Sequence, residues 1–227
     1  VAARALLLEG HLDHRGDLTF KEKPGDSQIG DVLRRGGFFD DPRYDWESWD
    51  DRRLKDITLH GKTRPVAEAM FSWASALREQ KAHGLLLYGP PGVGKSHLAT
   101  LTGIYACIAY GTAGRYINWP EYVTRQRAAA VADEQRAQEL KLELLSLPLV
   151  VVDDLFRISE TVFSVSLLYD IVERKGFTLY TSNGVPDRWN PQLRNGDAEA
   201  ARTTVKAIKS RLSTGRNLST MIRMEKI

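Results

Sequence analysis

With 227 residues, 42% of them hydrophobic and 27% charged, the chain has enough apolar content for a real core and suits one soluble domain of moderate size with an appendage. A formal net charge of +3 is too small to argue for a nucleic-acid partner by itself, and no apolar run approaches the length that crosses a bilayer, so no membrane partner is expected. The single cysteine, Cys107, excludes an internal disulfide or a cysteine zinc site, which points to a reducing compartment and a cytoplasmic location.

Residues 1–43 form a mixed N-terminal region and linker, punctuated by Pro24, Gly25, Gly30, Gly36, Gly37 and Pro42. Leu6-Leu7-Leu8 is too short for the core of a signal peptide. The chain begins at Val1 rather than Met, which leaves room for a further N-terminal piece. From Tyr44 the texture changes, and residues 44–227 read as one domain. "PVAEAMFSWASALREQ" places Val66, Met70, Trp73 and Leu77 on one helical face, with Pro65 suited to a first turn. Strands and helices then alternate. Strands are predicted at 85–88, 115–118, 149–152, 177–182 and 220–224. Helices are predicted at 95–110, 120–146 (broken or bent), 161–175 and 199–212. Cys107, among Ile104, Ala106 and Ile108, reads as a buried structural thiol. The continuous run Leu149-Val150-Val151-Val152 suits a strand covered on both faces. This order predicts an α/β fold with a parallel sheet flanked by helices.

The stretch "GPPGVGKSH", Gly89, Pro90, Pro91, Gly92, Val93, Gly94, Lys95, Ser96 and His97, lies between a predicted strand and a predicted helix. Gly89, Gly94, Lys95 and Ser96 fit G-x-x-x-x-G-K-[ST]. Glycines let backbone N–H groups turn toward a phosphate, and the helix adds its positive N-terminal end. Lys95 supplies a point charge for the β- and γ-phosphates, and the Ser96 hydroxyl is a ligand for Mg²⁺. Such a loop needs a carboxylate across from it on a neighbouring strand end. Asp153 follows the apolar strand and is expected to hold Mg²⁺ through water, and Asp154 to orient or deprotonate an attacking water. Asn183 ends the next strand. Ligands bind at the carboxyl ends of strands in open α/β sheets, which favours a role on the attacking water and γ-phosphate over a plain Asn-Gly turn. In the helix over 199–212, Val205, Ile208 and Leu212 share a face to be buried against the sheet. Arg202, Lys206 and Lys209 line a neighbouring face, which reads either as a solvated surface or as a nucleic-acid contact. Arg211 points away from that stripe, and reads either as a surface salt-bridging arginine or as a finger for a neighbouring subunit's γ-phosphate.

Together, "LLLYGPPGVGKSHLA", "LPLVVVDDL", "LLYDIVERKGFTLYTSN" and "AIKSRL" resemble an AAA+ ATPase of the DnaC/IstB group, over roughly residues 44–227. That group holds replicative helicase loaders and ATPase subunits of transposition systems. The resemblance implies a P-loop NTPase of the AAA+/ASCE type, with ATP and Mg²⁺ as cofactors. It makes Lys95 and Ser96 Walker A residues, Asp153 and Asp154 Walker B residues, Asn183 sensor 1 and Arg211 the arginine finger. It further implies a homo-oligomer that loads a replicative helicase, with DNA, mainly single-stranded, as a partner and the N-terminal region gripping the helicase. The alternative is an IstB-type ATPase that binds duplex DNA and a transposase, or an ATP-binding assembly switch with little hydrolysis. Two features depart from the group. Asp154 stands where it usually has glutamate, one methylene longer, so hydrolysis is expected to be slow. Little or no C-terminal lid is expected after the last strand, and Arg216 and Arg223 are weak substitutes for a lid-borne sensor 2 arginine.

Overall fold

The computed structural model describes residues 36–38, 84–110, 113–157, 160–189, 191, 193, 198–213 and 220–224, together with four short strands before residue 66. β1 (His11–Leu12) and β2 (Leu18–Thr19) form one antiparallel pair, and β3 (Asp56–Leu59) and β4 (Lys62–Pro65) another. Pro65, expected to open a helix, instead ends β4. The rest of that expected helix and Arg216 lie outside the described residues.

The remaining elements are β5 (Gly84–Tyr88), α1 (Lys95–Tyr110), β6 (Gly114–Asn118), α2 (Trp119–Ala132), α3 (Glu134–Ser146), β7 (Leu149–Leu155), α4 (Val162–Glu173), β8 (Phe177–Ser182), a 3₁₀ turn (Pro186–Arg188), α5 (Ala198–Ser213) and β9 (Thr220–Arg223). All five later strands run parallel in one sheet, in the order β6-β7-β8-β5-β9. The strand carrying Asp153 was expected to neighbour the strand before the glycine-rich loop. In the structure β8 lies between them.

The helix expected over 120–146, broken or bent, is two helices that meet at Asp133. Asp133 sits in extended backbone at φ −159°, accepts from the Arg136 N–H at 3.0 Å and so caps α3, while its own N–H closes α2 on the Ala129 carbonyl at 2.7 Å. Asn118 caps α2 through the Glu121 N–H, with Pro120 in the first turn. Thr161 and Ser164 form a reciprocal capping box on α4.

Residues of β7 alternate between the two faces of the sheet. Val151 faces α1, whose Gly103 lies against it, whereas Val150 and Val152 join a cluster with Leu86, Tyr180, Leu168, Ile171, Ile208 and Leu212. Helices therefore cover both faces. Val205, Ile208 and Leu212 are buried as their spacing predicted, in one cluster with residues of α4 and of the sheet. Cys107 is buried on α1, and burial pushes its thiol up to about 12. No helix among the described residues is long and apolar enough to cross a membrane.

Arg174, just past α4, is buried, with no carboxylate partner among the described residues. Its guanidinium donates to the carbonyls of Leu147 and Phe177 and to the Thr178 hydroxyl, tying the end of α3 to the start of β8. Burial lowers it to about 10. Arg174→Met should strip those two part-buried carbonyls of a donor and destabilise the fold by roughly 2–6 kcal/mol, at about 1–3 kcal/mol per orphaned group. Urea unfolding monitored by circular dichroism measures it, and a midpoint equal to the wild type would show that the ties carry no net stability.

Candidate nucleotide site

The glycine-rich loop leaves β5 at the carboxyl edge of the sheet. Its first residue is held on both sides. The Gly89 N–H donates to the Ser182 carbonyl at 3.2 Å, and a Cβ at Gly89 would lie 2.0 Å from the Met224 carbonyl oxygen, with φ at +152°. Only glycine fits that approach to β9. Gly94, at φ +89°, makes the entry into α1 in the same way. Val93 is buried and anchors the loop, while Pro90, Pro91 and Gly92 form an exposed rim and Ser96 and His97 are half-buried at the start of α1. Lys95 is buried, and its ammonium donates to the Pro90 carbonyl at 2.8 Å, inside the loop. Burial lowers its pKa, and the charges of Asp154 and then Asp153 oppose that shift.

The sequence places Asp153 and Asp154 after a strand ending at Val152, but β7 runs through both to Leu155. Pairing with β8 is irregular between Val152 and Leu155, and Asp154 adopts φ +62°. Asp153 is buried, with both carboxylate oxygens engaged. Tyr116 of β6 donates its hydroxyl to Oδ2 at 2.7 Å, and Thr181 of β8 donates to Oδ1 at 2.5 Å. Thr181 in turn accepts from the Asp154 N–H at 3.0 Å. The Asp154 carboxylate pairs with the exposed guanidinium of Arg157 at 2.6 Å. Phe156, at φ +65°, stacks on Trp189 with ring centroids 4.6 Å apart. Asn183 is exposed directly after β8, the strand between the loop and the aspartates, and the Ser182 hydroxyl bonds both backbone groups of Gly184 to close a turn around it. Tyr116, Thr181 and Arg157 were missed in the sequence. Tyr116 lies 37 positions from Asp153, and nothing in a tyrosine on a strand signals that pairing.

The structure divides the basic residues of α5. Arg202 and Lys206 are exposed, whereas Lys209 is half-buried and donates to the Asp187 carbonyl at 3.0 Å. Arg211 is half-buried, ion-pairs through Nε with Glu173 of α4, and lies over the Tyr169 ring at 5.5 Å. Arg223 is exposed on β9, on the far side of β5 from the aspartates.

The chain resembles solved structures in fold. AMPPCP-bound DnaA from Aquifex aeolicus superposes at a TM-score of 0.57 with 18% identity, over 82% of this chain and 51% of that one. DnaI matches at 0.55 and 20% identity over 70% and 85%, and the DnaC helicase loader at 0.51 and 19% over 70% and 88%. The chain spans less than half, 44%, of a replication initiator DnaA bound to AMPPCP and single-stranded DNA. At these identities the likeness establishes the fold alone, a parallel sheet flanked by helices. No curated protein sequence matches the chain. The profile of the family described as IstB-like ATP binding protein matches residues 54–213, which take in the glycine-rich loop, both aspartates, Asn183 and the basic helix, and the chain belongs to that family.

Proposed function

We propose that the chain is an ATP-hydrolysing helicase loader of DNA replication, assembling as a homo-oligomer on single-stranded DNA or on the helicase. The observation that carries the ATPase reading is the placing of the glycine-rich loop, with its buried Lys95, and the buried Asp153 at the carboxyl edge of one parallel sheet, with β8 between them. Lys95 would exchange the Pro90 carbonyl for the β- and γ-phosphates. The residues suit Mg²⁺. Ser96 offers a hydroxyl, and Asp153, whose oxygens already accept two hydroxyl protons, would reach the ion through water. No group of three His, Cys, Asp or Glu among the described residues could hold a metal alone, so phosphate oxygens would complete its coordination. Bound Mg²⁺ supplies charge neutralisation at the transferring phosphoryl group.

Asp154 would orient the attacking water once its carboxylate is released by Arg157, and Asn183 would hydrogen-bond that water from the adjacent strand end. Arg211 would serve a neighbouring subunit's γ-phosphate by exchanging Glu173 for phosphate oxygens. Arg202 and Lys206, with Lys209 as a weaker third, would contact DNA phosphates. Two observations favour other readings. The match to a family described as IstB-like ATP binding protein keeps the IstB-type ATPase, with a transposase as its proposed partner, as the second reading. The Asp154–Arg157 ion pair supports an assembly switch that binds ATP and turns over slowly. Affinity purification from the native host separates the first two: a co-purifying replicative helicase supports the loader, a transposase the alternative.

Lys95→Ala should abolish binding of a fluorescent ATP analogue, and tight binding by that variant would refute the site. Asp154→Asn should lower steady-state ATPase activity by about 10²–10⁴-fold, the range of a lost general base, while ATP binding persists. Asp154→Glu should raise activity if reach limits the wild type; activity that ignores both substitutions would remove Asp154 from the chemistry. The double variant Arg202→Ala/Lys206→Ala should weaken DNA binding and reduce the log-affinity against log-salt slope by about 0.7 per lost contact on single strands. An unchanged slope would return that face to plain solvent.

A further inference from the structure

The hydroxyl that fixes Asp153 Oδ2 leads out of the site to a segment early in the chain. Tyr116 pairs with Val151 in the β6–β7 register, two residues before the Asn118–Asp153 pair. Side chains two apart on a strand share a face, so Tyr116, Val151 and Asp153 all point toward α1. On that face lies Phe38, 1% exposed although it belongs to the N-terminal region of the sequence. Its ring is tilted against the Tyr116 ring at 6.5 Å between centroids. It occupies space that α1 leaves open at Gly103, where an added Cβ would lie 2.6 Å from Phe38 Cε1 and 2.8 Å from Val151 Cγ2. The Tyr116 N–H also donates to the Gly36 carbonyl at 2.7 Å, which fastens the same segment to β6. Tyr116 is thus held at its backbone and its ring by residues 36–38, and holds Asp153 with its hydroxyl.

We infer that Tyr116 is a positioning residue for Asp153 and couples the docked Gly36–Phe38 segment to the metal side of the nucleotide site. The inference rests on the reading of Asp153 as the carboxylate that faces Mg²⁺. Asp153 has two anchors, the Tyr116 and Thr181 hydroxyls, on opposite neighbouring strands. Losing either lets the carboxylate rotate and weakens its grip on the ion's water shell. Groups that orient a metal-facing ligand are commonly worth about 10–100-fold in metal affinity. A partner that pulls on the N-terminal region would act on the same tyrosine, so docking of residues 36–38 and Mg²⁺-dependent nucleotide binding would favour each other.

The test measures the affinity of the full chain for a fluorescent ATP analogue with and without Mg²⁺, and takes the ratio as the readout. Asp153→Asn should abolish the Mg²⁺ enhancement. Tyr116→Phe, which removes one oxygen and keeps the ring, should cut the enhancement about tenfold in a protein that still folds, with a lowered melting temperature because the buried Asp153 Oδ2 loses its donor. Thr181→Val should repeat the loss from the other oxygen, and Thr181→Ser should restore it. Phe38→Leu should lower the enhancement in the same direction by a smaller factor. If Asp153→Asn loses the enhancement and Tyr116→Phe keeps it, the positioning role is overturned and the reading of Asp153 stands. If Asp153→Asn keeps it, both fall. An unchanged ratio in a folded Phe38→Leu protein overturns the coupling to the N-terminal segment.

Discussion

Two adjacent aspartates on a regular strand point to opposite faces of the sheet, and only one could serve a site on either. The structure escapes this by breaking the β7–β8 register after Val152 and turning Asp154 into left-handed backbone at φ +62°. Such a conformation costs a residue with a Cβ about 1 kcal/mol or more, and aspartate tolerates it better than most. Its N–H donation to Thr181, the Arg157 pair and the Phe156–Trp189 stack offset that cost by fixing the chain on either side of the turn. Both carboxylates then bear on Lys95 from the far side of β8. On the proposed function, the chemistry of the edge would depend on this one irregularity, because a straight β7 would turn the two carboxylates to opposite faces.

The strand order gives the irregularity its reach. With β8 between β5 and β7, the loop and the aspartates stand on either side of the strand that carries Thr181, Ser182 and Asn183. Three consecutive residues there serve three purposes. Thr181 fixes Asp153, the Ser182 carbonyl receives the Gly89 N–H, and Asn183 is presented to solvent between the two halves of the site. A displacement of β8 along its axis would disturb both halves together.

Much of this was legible. The loop motif, the β-branched run of β7 and the apolar face of α5 are local patterns, and each reports on local structure directly. The break at Asp133 was less visible, since a helix-capping aspartate has to be told from a surface one. The strand order was hidden because alternation of strands and helices predicts a parallel sheet without fixing which strands touch. Most obscure were the side-chain partners. Lys209 and Arg211 sit where helical spacing puts them, yet what they bond, the Asp187 carbonyl and Glu173, depends on how the 3₁₀ turn and α4 pack on α5. The same holds for Tyr116 and Arg157, which acquire their roles from neighbours that no short-range pattern connects. Phe38 falls within the N-terminal region and linker, whose glycines and prolines describe the backbone and say nothing of where one aromatic ring goes.

The buried Cys107 has a consequence for how this molecule ages and how it can be watched. A thiol whose ionisation is pushed to about 12 is almost wholly protonated at neutral pH, and its sulfur lies against the sheet, where a Cβ on Gly114 would come within 2.7 Å of it. The thiolate is the species that reacts with oxidants and alkylating reagents, so the folded chain is shielded from intermolecular crosslinking at its one sulfhydryl. Reaction is favoured when the packing of α1 on β6 opens and brings the thiol to water. The rate at which an alkylating reagent consumes this sulfhydryl therefore clocks the opening of the core from within, with no label introduced, and leaves every other surface open to a cysteine placed there by design.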